Sequence, residues 1–298
     1  IVKRAQKDIQ TQVPKDTTEI LVKMLSDPNI ASKDWVILQY DHTVRGSTTL
    51  TPLHGDVVNF SPQDSAIVKP VEELNKGLVI STAVNPFLLE YDPYWGAASA
   101  IDEIYRNIVA VGGKPHSLAD CLNFGNPEKP ERFGDFYQAV MGLNFATKDL
   151  LVSFSSGNVS LYNESMIGSC PPTPTIVGIG IIDDVGKKIT SNLKKEGNSI
   201  YLIGKTEREF GGSLYYRILG IDGGIAPKMD PQNLINYSKV LLDSMKKGIV
   251  ISCHDMSEGG LAVAVAEMSF GSNYGAELEL PIIKDMRADE FIFSESNT

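Results

Sequence analysis

Ten consecutive residues, Ser155-Ser156-Gly157-Asn158-Val159-Ser160-Leu161-Tyr162-Asn163-Glu164, hold a glycine, two asparagines, three serines and a glutamate between apolar runs at 150–154 and 174–182. Amide and hydroxyl oxygens are hard ligands that suit Mg²⁺, and a glycine lets the backbone come close to a phosphate. The same letters also make an ordinary solvated turn, which is the default for the stretch taken alone. A second polar string, Asp120-Cys121-Leu122-Asn123-Phe124-Gly125-Asn126-Pro127, ends an apolar segment at 115–122. One helical pattern separates the strings, so the unit reads strand–helix–strand. If the strands are parallel, both strings emerge at one sheet edge, where α/β folds collect ligands. A carboxylate and an amide on adjacent loops then form a Mg–nucleotide constellation that needs no Walker lysine.

A third string, His254-Asp255-Met256-Ser257-Glu258-Gly259-Gly260, closes an apolar segment and opens a helix. Its N–H donors would suit an anion. Capping of that helix by Asp255 or Ser257 explains the same residues, and both readings stand. His42, His54 and His116 read as structural or surface residues. Gly204-Lys205-Thr206 is a strand-end turn, because Ser199 stands where a P-loop needs its first glycine. Gly178-Ile179-Gly180 lies inside an apolar strand and opens no helix, so it is not a dinucleotide fingerprint.

The elements that must position these strings follow from periodicity. A helix over 17–25 is capped by Asp16 or Thr17. Residues 34–63 read as loops and short strands. Strands are expected at 65–68 and 78–83, then a helix over 94–111, where Ala97, Ala98, Ile101, Ile104, Tyr105, Ile108 and Val109 recur at helical spacing. A strand at 115–122, a helix over 130–149, and strands at 150–154 and 174–182 complete the first unit. The charged stretch 183–197 marks a boundary. Beyond it the pattern predicts strands at 199–203, 249–253 and 276–280 and helices over 212–219, 231–247 and 259–268, with a strand-like segment before Thr298. Strands alternating with helices give an α/β (α+β) class. The expected division is a lead-in linker with a helix over 1–33, a first domain over 34–184, and a second over 197–298.

Length and composition bound the function. At 298 residues the chain fits two domains by a prior of roughly 100–200 residues each. Its 42% hydrophobic content supplies a core. A formal charge of −10 without a Lys/Arg block excludes nucleic acid as the main partner. No apolar run reaches the roughly 20 residues that span a bilayer, so no membrane partner is expected. Cys121, Cys170 and Cys253 lack CxxC spacing, which points to a reducing, cytoplasmic setting. The ends, Ile1 and Thr298, suggest a piece of a longer chain.

Tyr91-Asp92-Pro93-Tyr94-Trp95-Gly96-Ala97-Ala98, Leu122-Asn123-Phe124-Gly125-Asn126-Pro127-Glu128-Lys129-Pro130 and Ser156-Gly157-Asn158-Val159-Ser160-Leu161-Tyr162-Asn163-Glu164 resemble the phosphoribosylformylglycinamidine synthase family. The likeness is to the carboxy-terminal half of its small, separate-subunit synthetase form (PurL). His254-Asp255-Met256-Ser257-Glu258-Gly259-Gly260-Leu261 and Phe291-Ile292-Phe293-Ser294-Glu295-Ser296 follow in the same order, and the resemblance runs from about Pro28 to the end.

The resemblance implies a PurM-like fold, shared with aminoimidazole ribonucleotide synthetase: a mixed-sheet first domain and an incomplete α+β second domain, with two such halves packed about a pseudo-twofold axis. It implies an ATP- and Mg²⁺-dependent ligase of purine synthesis that converts the amide of formylglycinamide ribonucleotide to an amidine, with ammonia from a glutaminase subunit (PurQ) and with a small PurS subunit. It places Asp120 and Gly157 on ATP, Asn158 on Mg²⁺ and Ser160 on the ribonucleotide. It assigns the catalytic histidine and acidic metal ligands to an amino-terminal half outside this sequence, so His254 is not given that role. Two departures stand out: Cys121 replaces a common asparagine, and Leu53-His54-Gly55-Asp56 departs from the family's glycine-rich loop. The remaining alternatives are a half that binds a structural nucleotide or scaffolds the glutaminase, and an aminoimidazole ribonucleotide synthetase-like enzyme.

Overall fold

The computed structural model describes residues 6–55 and 59–297; Asp56 lies outside them. The first part of the chain runs α1 (Thr17–Leu25), α2 (Asp34–Ile37), β1 (Thr48–Leu50), β2 (Leu53–Gly55), β3 (Phe60–Pro62), β4 (Ala66–Val68), β5 (Gly77–Ala83), α3 (Pro86–Tyr91) and α4 (Pro93–Ala110). It continues with β6 (Lys114–Asn123), α5 (Pro130–Leu150), β7 (Ser153–Ser160), β8 (Glu164–Ser165), β9 (Gly168–Ser169) and β10 (Thr173–Ile182). The remainder forms α6 (Leu214–Leu219), α7 (Pro231–Lys246), α8 (Gly260–Phe270) and α9 (Ala288–Phe293).

One six-stranded sheet organises the first part, in the order β1-β4-β5-β10-β6-β7. Only the β6–β7 pair is parallel within it; the other neighbours are antiparallel. The class is thus α+β with a mixed sheet, as expected. Strand β10 alternates strictly: Ile176, Gly178, Gly180 and Ile182 are buried and the residues between them half-buried. The buried positions face α4. A Cβ at Gly178 would lie 2.2 Å from Ile104 Cγ2, and one at Gly180 2.3 Å from Ile108 Cγ2, so glycine at both positions lets the helix settle onto the strand. Ile101, Ile104 and Ile108 are at most 1% exposed there. Burying each contributes about 1.5–3 kcal/mol.

A second core joins Ile20 and Met24 of α1 to Phe210, Leu214, Tyr215, Tyr216, Val263 and Phe293. The amino-terminal helix therefore packs against α6 and α8 from the far end of the chain. Asp16 caps it, accepting from Thr18 and Glu19 N–H.

The structure departs from the expected elements in several places. The expected strand at 150–154 starts late, because Leu150 is the last residue of α5 and Leu151 caps the helix in the left-handed region at φ 54. The segments 199–203, 249–253 and 276–280 form no strands; residues 199–203, 249–253 and 276–279 line a cavity of about 1240 Å³ together with α7. Isoleucine and valine at 199–203 and 249–253, and apolar–polar alternation at 276–280, give a strand signal, but no ladder partner meets them. The strand-like end is instead the helix α9, where Glu290 accepts the Arg287 N–H and Phe291 and Phe293 are buried. A short apolar run fits either period, and its capping contacts decide.

Candidate functional site

Residues 155–160, expected as a loop, belong to strand β7. The strand is exposed at most positions because it is the edge of the sheet, with β6 as its one neighbour. It needs no apolar face, so its sequence shows no alternation. The parallel pairing sets Asp120 opposite Gly157, Cys121 opposite Asn158 and Asn123 opposite Ser160. The structure thus brings the four expected site residues together on two adjacent strands. Side chains alternate along a strand, so Asp120 shares one face with Gly157, while Asn158 and Ser160 lie on the other. On the far side of β6, Asp120 is opposite buried Ile176 and Cys121 is opposite Thr175, which puts Asp120 on the helix-bearing face.

The Asp120 carboxylate lies over the Gly157 backbone: a Cβ there would be 2.7 Å from Oδ2 and 2.8 Å from Oδ1. It also accepts the Asn158 N–H; partial burial pushes its pKa up, and that hydrogen bond opposes the rise. On the opposite face the exposed Cys121 thiol sits 3.6 Å from the Asn158 and Asn123 amide nitrogens. Beyond the strand, Asn163 and Glu164 tie this end of β7 to the β6–α5 connection. Asn163 Nδ2 donates to Phe124 O at 3.0 Å, and Lys129 Nζ reaches both Glu164 oxygens at 2.8 Å.

The His254 string lies elsewhere, in a buried polar cluster between the sheet unit and α8. His254 Nδ1 is 2.5 Å from Asp64 Oδ1 and Nε2 is 2.9 Å from Glu267 Oε2. Burial alone would pull the imidazolium down, but the Asp64, Glu267 and Asp255 carboxylates more than offset it and hold its pKa well above the usual value. Both ring nitrogens are engaged, so His254 is a charged strut. Arg106 of α4 donates to Asp102 at 2.6 Å, to Asp255 at 3.0 Å and to Met256 O at 2.7 Å. Burial pushes Asp255 up to about 7 against the pull of Arg106. Burial together with Glu258 and Asp255 raises Glu103 well above its ordinary range. The buried oxygens without a hydrogen-bond partner include Asp64 Oδ2 and, on α4, Asn107 Oδ1. One ligand atom each from Asp64, His254 and Asp255 lie within 4.8 Å of one another.

Sequence reasoning missed Asp64, Glu103, Arg106 and Asn107. A signal existed: Asp102-Glu103 and Arg106-Asn107 recur one turn apart on α4, beside its apolar stripe.

The chain matches the model of AIR synthase related protein, N-terminal domain, over residues 62–182, and that of AIR synthase related protein, C-terminal domain, over 195–298. It is 38% identical over 295 residues to the phosphoribosylformylglycinamidine synthase subunit PurL of Methanothrix thermoacetophila, covering 96% of this chain and 37% of that one. To the same-named subunit of Rhodopseudomonas palustris it is 41% identical over 273 residues, covering 91% and 36%. The chain thus spans little more than a third of the length of these curated relatives. Among solved structures, Thermotoga maritima PurL complexed with FGAR superposes with a TM-score of 0.68 over 95% of this chain and 44% of that one, at 16% identity, which speaks for the fold.

Proposed function

From the premise that this chain belongs to the AIR synthase related protein family, we propose that it forms one wall of the ATP–Mg²⁺–substrate site of a phosphoribosylformylglycinamidine synthase. One observation carries the reading: the β6–β7 register, which aligns Asp120 with Gly157 on one face of an open sheet edge and sets Asn158 and Ser160 on the other. The domain division at 34–184 and 197–298 belongs to the same proposal.

In this reading Gly157, lacking a side chain, makes room for the Asp120 carboxylate against the strand, and Asp120 holds the Asn158 N–H while its free lone pairs meet hydrogen-bond donors of the nucleotide. Asn158 presents one amide oxygen to a cation, a fit for Mg²⁺ when phosphates and water complete the shell. Bound there, Mg²⁺ would neutralise phosphate charge, the main demand of phosphoryl transfer. The Ser160 hydroxyl would meet formylglycinamide ribonucleotide. The catalytic histidine, the acidic metal ligands, and the glutaminase PurQ and PurS partners belong to the proposal for the whole enzyme. The chain alone is expected not to turn over; ammonia-dependent ATP hydrolysis by it with this substrate would overturn that. In the intact synthetase, Asn158→Ala should raise the Mg²⁺ concentration for half-maximal rate about tenfold, as loss of one contact worth about 1.4 kcal/mol implies. An unchanged Mg²⁺ dependence removes Asn158 from the site.

A second reading, a structural nucleotide or cation site away from β7, is favoured by the unpartnered Asp64 Oδ2 in the group that Asp64 forms with His254 and Asp255. A hard cation satisfies such oxygens. Mg²⁺ or MgADP that raises the Tm of the wild-type chain and of Asn158→Ala, but not of Asp64→Asn, supports it. Equal shifts in all three count against it.

A further inference from the structure

We propose that Asn163 is a positioning residue for the substrate-binding hydroxyl of Ser160, an inference that rests on the site reading above. Its side-chain amide sits at the turn leaving β7. Nδ2 is 2.9 Å from Ser160 O, 3.0 Å from Phe124 O and 3.1 Å from Ser160 Oγ. Oδ1 is 3.2 Å from Ser160 Oγ. The amide has one workable orientation, since a flip would set its oxygen against two carbonyl oxygens. A serine hydroxyl has one donor and two acceptor positions. The Nδ2–H therefore pins the oxygen, while the hydroxyl proton rests on Oδ1 and is free to swing to an incoming acceptor.

The surroundings keep that amide in place. Asn163 N donates to Phe124 O at 3.2 Å, and Cys170 N donates to Asn163 O at 2.9 Å. Tyr162 occupies the left-handed region at φ 62 and donates its N–H to Gly125 O at 3.1 Å. Glu164, next along the chain, accepts from Lys129 Nζ at 2.8 Å and from Ser169 Oγ at 2.7 Å. The turn is thus bonded at its root to the β6–α5 connection on one side and to β9 on the other. Removing the Asn163 side chain leaves no carbonyl bare: Phe124 O keeps the Asn163 N–H, and Ser160 O keeps the Phe124 N–H at 3.0 Å. The truncation should therefore leave the fold intact and release the hydroxyl.

The test is a double-mutant cycle in the intact synthetase, with KM measured separately for ATP and for formylglycinamide ribonucleotide. Asn163→Ala should raise the ribonucleotide KM about tenfold while leaving the ATP KM and Tm unchanged. In a Ser160→Ala background the same change should cost less than about twofold, because its effect runs through that hydroxyl. Equal effects in the two backgrounds, or equal rises in both KM values, overturn the proposal. A Ser160→Ala enzyme with unaltered ribonucleotide KM instead refutes the site reading on which it rests. Should Asn163→Ala lower Tm, Asn163→Ser, whose side chain is too short to span to Ser160 Oγ, must reproduce the same KM split.

Discussion

Replacing Gly157 with alanine puts the β6–β7 geometry to a sharp test. The new methyl would lie 2.7 Å from Asp120 Oδ2, 2.8 Å from Oδ1 and 3.0 Å from Cγ. A carbon and an oxygen do not approach so closely, so the carboxylate has to rotate away. Rotation breaks its hydrogen bond from the Asn158 N–H. Such bonds to charged groups are worth about 1.5–3 kcal/mol, and the exposure of Asp120 brings the cost here toward about 1 kcal/mol. Residual crowding adds a comparable amount, for a total of about 1–2 kcal/mol. Urea titration of this chain should show the unfolding free energy falling by that amount, through a lower midpoint at an unchanged slope. In an Asp120→Ala background the obstacle is gone, and Gly157→Ala should then cost little. A coupling energy near zero, with alanine equally costly in both backgrounds, would refute the reasoning, since the loss would then come from the backbone.

Two other outcomes follow from buried charge. Glu295 Oε1 accepts the N–H groups of both Gly259 at 2.8 Å and Leu214 at 2.9 Å, and burial pushes its carboxyl up to about 8. The unfolded value is about 4.3, so the native state keeps a proton that the unfolded chain has lost, and Glu295 takes stability away as pH rises from there through 8. Thermal scans from pH 6 to 9 should show the wild type losing Tm faster than Glu295→Gln, which keeps the accepting oxygen. Arg106→Met leaves Asp102 and Asp255 buried without this cation, and denaturant unfolding should report a loss of about 3–5 kcal/mol.

Periodicity carried the helical layer into view before any coordinates. The helix expected over 94–111 is Pro93–Ala110, and the strand expected over 174–182 is Thr173–Ile182, because each repeats one buried face along its length. Strand β7 was opaque for the opposite reason: an edge strand with few buried residues imprints no alternation. The paired residues Asp120 and Gly157 were legible as polar strings, but their placement on a different face from Asn158 depends on register, which no spacing reveals. The charged cluster was least legible. Asp64 and His254 are 190 residues apart, and two lone acidic or basic letters at that distance carry no local pattern.

The outermost place of β7 has one more consequence. Asp120 and Asn158 look out from opposite sides of the sheet, so one molecule can touch both only by folding around the strand's free margin. A further strand laid along that margin would close the passage. A peptide that hydrogen-bonded to the β7 backbone would therefore compete with a bound nucleotide without resembling it, by sealing the route between the two faces.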